Sequence, residues 1–293
     1  MTKWDFLPRA FLAAILAITA PICALAQQPQ LKIFDAHLHY NDDTVTVYSV
    51  DEALDIFRRN GVAGILANSL PNDGTRLLVE AKAPGLWVVP FIRPYRVLDD
   101  MQRWFNDPSI YELIETEYRR GDYRGIGEFH LFGTQARGAW VKKAVDFGVE
   151  HDLFLHAHTD EQALLALFDL NPKAKVIWAH TGFSVPAARV RELLEKYPAL
   201  MCELSYREGI TRVSRLTSEW RDLFGRHSDR FLLGSDSWVN ERWYEYGTIM
   251  KEYRNWLGQL PEDQARRLAY GMPSGCSAAG SGSKASAAGP QGR

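Results

Sequence analysis

Apolar runs recur along this chain about every 22 to 37 residues, and between most of them the apolar spacing turns helical. Eight such runs occupy residues 31–40, 62–69, 86–93, 123–131, 152–158, 174–181, 199–205 and 230–236. Several are apolar throughout, as strands buried on both faces must be. Ser49-Val50-Asp51-Glu52 reads as a capping box opening a helix that packs Leu54 and Phe57 and stops at Gly61. Thr159-Asp160-Glu161-Gln162 reads as another, ahead of a helix carrying Leu164, Leu167 and Phe168. Pro186 starts a helix with Val190, Leu193, Leu194 and Tyr197 at apolar spacing, ended by Pro198. Residues 216–226 and 243–257 read as later helices. Eight strands alternating with helices predict an α/β single domain, a (β/α)8 barrel. A doubly wound open sheet is the alternative, but no glycine-rich dinucleotide fingerprint follows the first strand.

The two ends fall outside this pattern. Lys3 and Arg9 precede an apolar run over 10–25, and Ala24-Leu25-Ala26 is a small-x-small cleavage site before Gln27. Residues 1–26 therefore read as a signal peptide of a secreted chain, most simply to a bacterial periplasm, with an uncleaved anchor as the alternative. Roughly 265 residues remain, and the stretch 27–271 is long enough for one domain with a large core. Residues 272–293 are rich in Gly, Ser and Ala without apolar periodicity, and read as a disordered tail. The formal charge of −2 with no basic stripe argues against nucleic acid or anionic membranes as partners and for a small-molecule substrate. Past residue 26 only Cys202 and Cys276 remain, too few for a disulfide framework, so stability must come from packing.

Chemistry concentrates where the runs end. His37-Leu38-His39 closes the first, and period-two alternation puts both imidazoles on one side of a strand. Glu128, His156, His180 and Asp236 close later runs, and in a barrel all carboxyl ends meet on one face. Scattered core histidines have no reason to choose strand ends. Imidazoles and carboxylates in such a set suit one or two divalent ions, zinc first, manganese or iron(II) otherwise. A metal there lowers the pKa of water from about 16 towards about 7. His158 lies two after His156 and points the same way; His156 is preferred as the strand-five ligand because it comes first after the apolar run. Arg93, His130, His158 and Trp238 are candidates for substrate contact, with a salt bridge the competing reading for Arg93. Tyr206, Arg207, Trp243 and Tyr244 are candidate pocket walls or plain packing, Asp35 a candidate partner orienting a histidine, and His151 and His227 are expected to be solvated.

These residues resemble the amidohydrolase superfamily, in particular its amidohydrolase 2 and TatD-like metal-dependent hydrolases of TIM-barrel fold. The resemblance rests on Asp35-Ala36-His37-Leu38-His39, Glu128, His156, His180-Thr181-Gly182 and Gly234-Ser235-Asp236, in that order, and spans the chain to about Gly271. It implies metal ligation by His37, His39, Glu128, His156, His180 and Asp236, with Asp236 and His180 catalytic, in a hydrolase of an ester, lactone, amide or phosphoester. Glu128 stands where many relatives carry a carboxylated lysine; bridging by it implies two ions, as in the TatD-like branch. A single-metal decarboxylase or hydratase, or a barrel that binds without catalysis, are the alternatives. The family's closing Gly-Asn-Ala-x-Arg-Leu-Phe pattern is missing. Met272 to Ser277 can be encoded by ATG CCG AGC GGC TGT TCG, and one added A gives Asn-Ala-Glu-Arg-Leu-Phe, so a one-base frameshift is a second reading of the tail.

Overall fold

The computed structural model describes residues 30–271; the expected signal peptide and tail fall outside the described residues. Eight parallel strands follow one another in chain order around a barrel: β1 (Ile33–Leu38), β2 (Val62–Ala67), β3 (Trp87–Ile92), β4 (Gly125–Leu131), β5 (Phe154–Thr159), β6 (Lys175–Trp178), β7 (Leu200–Glu203) and β8 (Phe231–Leu232). Asp35 bridges Leu233, and the Ala36 N–H donates to the Leu233 carbonyl at 2.7 Å, so the last strand meets the first. The open-sheet alternative is thereby set aside. Helices fill the crossovers, as parallel strands demand.

Two apolar layers result. Phe34, Ala36, Leu66, Val89, Phe91, Phe154, Ile177, Met201 and Leu232 point into the barrel, while a larger set packs between strands and helices. The inner layer is the floor beneath the carboxyl-end face.

Local chemistry explains the element ends. Ser49 caps the Val50–Arg59 helix in a full capping box with Glu52, as its sequence predicts. The second expected box is displaced: Thr159 ends β5, and Asp160 caps the Glu161–Leu170 helix by accepting from the Ala163 N–H. Thr159 pairs with Leu131 in the ladder, so its backbone is committed to the sheet. Helix Ser218–His227 starts two residues later than expected, because Leu216 pairs in a two-residue ribbon with Thr211. The stretch 243–257 is broken into Asn240–Tyr244 and Tyr246–Leu257. Among the described residues no helix is long and apolar enough to cross a membrane.

Candidate metal centre

Two bulges decide which side chains enter the barrel mouth. Along β1, Phe34 and Ala36 point inward, yet Ile33 and Leu38 share the outer core although Leu38 lies five positions after Ile33, an odd step. The register slips between Asp35 and Leu38, so one extra residue reverses the alternation and turns His37 and His39 inward. Along β4 the register steps from Gly127–His156 to Phe129–Ala157, leaving Glu128 as the extra residue. Gly127, at φ +128°, makes this possible: a Cβ there would stand 2.1 Å from the His156 carbonyl oxygen.

The inward side chains converge. His37 Nε2 lies 3.4 Å from Glu128 Oε2 and 3.5 Å from Asp236 Oδ1; His39 Nε2 lies 3.5 Å and 3.2 Å from the same two atoms. Ligand atoms about 2.0–2.2 Å from one ion at tetrahedral angles stand roughly 3.3–3.6 Å apart, which is this spacing. The other oxygen of Glu128 faces a second group: Oε1 is 2.8 Å from His158 Nδ1 and 3.5 Å from His180 Nε2, and those nitrogens are 3.2 Å apart. Asp236 Oδ2 comes within 3.8 Å of His180 Nε2.

Each imidazole is held from behind. His37 Nδ1 donates to Glu203 Oε2 at 3.0 Å, His39 Nδ1 to the Asn68 carbonyl at 2.7 Å, and His180 Nδ1 to the Ser205 carbonyl at 2.9 Å. These bonds place the proton on Nδ1 and leave Nε2 free to face the centre. His37 Nε2 is buried with no hydrogen-bond partner, a polar atom that a cation would satisfy.

Electrostatics point the same way. Glu128, Glu203 and Asp236 are buried carboxylates around His37. Burial disfavours a charged His37, but Asp236, Glu128 and Glu203 outweigh it and hold its pKa well above the ordinary value. Burial likewise works against ionised Asp236, yet the charge of His37 and a bond to His39 bring its carboxyl down to about 2. The buried carboxylates and His37 balance one another's charge, and the same carboxylate and imidazole donors would balance a cation. The donor set fits a divalent ion on both counts.

The other sequence candidates separate. The structure brings His158, not His156, to Glu128 and His180. The two alternate on one face of β5, and His156 sits a layer deeper, its ring 4.4 Å from that of His37 and 6.4 Å from Phe91. Neither His156 nitrogen has a hydrogen-bond partner, and one of them lies within 4.8 Å of ligand atoms of His37 and Glu203. Burial and the neighbouring His37 hold it well below the usual imidazole range. Arg93 is buried, with Nη1 on Glu128 Oε2 at 3.0 Å and on Asn68 Oδ1 at 2.8 Å, so the expected salt bridge is present. His130 stacks on His158 at 4.1 Å, and the Tyr95 hydroxyl is 3.1 Å from its Nδ1; burial pushes it down to about 3. Trp238 is half exposed beyond β8, and Tyr206 is edge-on to His180 at 6.0 Å. Trp243 is buried and donates to the His39 and Ser237 carbonyls, so it supports the wall from behind. Asp35 ties the barrel seam, accepting from the His37 and Ser235 N–H groups and the Tyr246 hydroxyl. His151 is not free in solvent: it packs on Tyr118 at 4.5 Å and Phe147 at 4.3 Å.

Glu203, Asn68 and Ser205 are absent from the sequence-derived set. The one available signal for Glu203 is its parity, two residues after the inward Met201 on an apolar strand. A cavity of about 520 Å³ is bounded by Tyr206, Arg242 and Trp256 among others, and none of the candidate ligand residues line it.

No family model and no curated protein matches the chain. Solved structures do. An amidohydrolase from Burkholderia multivorans with bound zinc aligns at a TM-score of 0.52 and 16% identity, over 82% of this chain and 96% of that one. A protein from Pseudomonas putida assigned as a 2-pyrone-4,6-dicarboxylic acid hydrolase aligns at 0.53 and 16%, over 81% and 94%. At such identity the likeness speaks for the fold. The shared fold is a (β/α)8 TIM barrel, similar to the barrels of these amidohydrolase-related structures.

Proposed function

We propose that this chain is a metal-dependent hydrolase of an ester, lactone, amide or phosphoester of a small molecule, in which Glu128 would help to hold two divalent ions, with His37, His39 and Asp236 towards one and His158 and His180 towards the other. The observation that carries the reading is the two-sided carboxylate of Glu128, one oxygen towards His37 and His39 and the other towards His158 and His180. The zinc in the Burkholderia amidohydrolase lends zinc the preference. Bound there, the ions supply Lewis acidity and a water acidic enough to ionise near neutral pH. Asp236, whose carboxylate reaches both halves, takes the proton of the attacking water and passes it to the leaving group. His180, fixed through Nδ1, orients the group under attack. Arg93 offsets the charge of Glu128. Export, expected from residues 1–26, belongs to the same proposal.

One contact favours a second reading, a single-ion decarboxylase or hydratase: Arg93 Nη1 engages the Glu128 oxygen that faces His37. Elemental analysis decides between them. Two equivalents in the purified protein, falling to one or none in Glu128→Ala, support the two-ion centre. One equivalent, unchanged in Glu128→Ala and lost in His37→Ala, supports the single ion. No metal in any of the three, even after reconstitution, overturns both.

A further inference from the structure

Glu203 is wholly buried and bonds to one residue from each half of the centre, His37 and His180. Its Oε2 accepts from His37 Nδ1 at 3.0 Å, from the His180 N–H at 3.1 Å and from the Ser205 hydroxyl at 2.8 Å; its Oε1 accepts from the Ser205 N–H at 2.5 Å. Ser205 in turn gives its carbonyl to His180 Nδ1. One carboxylate therefore fixes the ring of His37 in one half of the centre and the backbone of His180 in the other. The second task is demanding, because His180 and Thr181 stand at φ 57° and 46°, a left-handed conformation that costs of order 1–3 kcal/mol per residue unless the surroundings impose it. Space for the carboxylate is provided by Gly234, where a Cβ would lie 2.2 Å from Glu203 Oε1 and 2.6 Å from the His37 Cβ. Four donors, a buried carboxylate and a glycine that admits it are more than packing requires.

We propose that Glu203 is the positioning residue that couples the two halves of the centre, presenting His37 Nε2 to one ion and holding His180 in place for the other. The inference rests on the two-ion reading, and its test separates the two. In Glu203→Gln an amide cannot serve all four donors: the NH2 group fits best at the Oε1 position, leaving the Ser205 N–H unpaired but the His37 and His180 bonds in place, now to a neutral oxygen. Loss of a charged partner behind a ligating histidine weakens metal binding about 10–100-fold.

The experiment titrates Co²⁺ against a chelator in the wild type and Glu203→Gln, with melting of both in excess chelator. Weakening of both equivalents by about 10–100-fold, with metal-free melting shifted by only a few degrees, is the expected result. Unchanged affinity, or weakening of one equivalent alone, overturns the coupling. A loss of affinity that merely tracks collapse of the metal-free fold overturns positioning in favour of a structural role. If Glu203→Gln does not fold, the wild type decides: histidine ¹H–¹⁵N correlation in the metal-free protein is expected to show His37 protonated at Nδ1, and an unprotonated Nδ1 overturns the proposal. Should the wild type take up no metal at all, the two-ion reading fails while the nitrogen spectrum still reports whether Glu203 orients His37.

Discussion

Gly127 occupies a point in β4 where the backbone and its neighbour leave no room for a methyl group. Its φ of +128° is open to glycine and strained for other residues, and an added Cβ would strike the His156 carbonyl. Gly127→Ala should therefore destabilise the protein by about 2–4 kcal/mol, from backbone strain plus displacement of β5. Because Glu128 is the extra residue of the bulge, the same change should lower metal stoichiometry in whatever fraction folds. Urea unfolding beside elemental analysis checks both; a variant of wild-type stability would show that the bulge can be rebuilt without glycine.

Elements contribute through their ends and connections. Removing the Ser49 hydroxyl leaves the Glu52 N–H without its cap, and Ser49→Ala should cost about 1 kcal/mol, seen as a lower urea midpoint at unchanged slope. The loop after β3 is held by Asp100, whose carboxylate has no exposed surface and accepts from the Arg96 N–H and guanidinium. Bonds from Arg96 outweigh burial and draw the Asp100 carboxyl from 3.8 down to about 2. A depressed carboxylate stabilises the fold above its unfolded pKa, so the contribution is complete above about pH 4 and lost as pH falls through 2. Since Arg96 is partly solvated, its worth is roughly 1–2 kcal/mol. Asp100→Asn should lose that amount at pH 7, and the gap from wild type should close between pH 4 and pH 2. A gap independent of pH would assign the effect to packing.

At the scale of the whole barrel, the inner apolar layer carries the histidines. Phe91 fills the space that Gly125 leaves open, its ring within 2.2–2.5 Å of where a Cβ at Gly125 would be, and it meets His156 edge-on. Phe91→Ala should cost about 3–5 kcal/mol as a floor cavity. With that floor loosened His156 and then His37 gain freedom, so metal affinity should fall together with stability. Calorimetry with and without added zinc separates the two effects, and full affinity in a destabilised variant would show that the floor and the centre are independent.

Much of this is legible before folding. The alternation of apolar runs with helical spacing determines a parallel α/β sheet, because parallel strands buried on both faces must be continuously apolar and must be joined by crossovers; its closure into a barrel is decided by the pairing of Asp35 with Leu233. Placement of His37, His39, Glu128, His180 and Asp236 at strand ends determines that they share a face. Tertiary structure decides what these rules leave open. Strict alternation from Phe34 and Ala36 would turn Leu38 inward and the histidines out; the β1 bulge reverses this, and bulges answer to neighbouring strands rather than to local propensity. The same holds for the choice between His156 and His158, which share a face and differ only in depth, a coordinate that one strand does not contain. Glu203 and Asn68 lie beyond sequence reading for the same reason: their partners are 166 and 29 residues away, and a hydrogen bond across a barrel leaves no period in the chain.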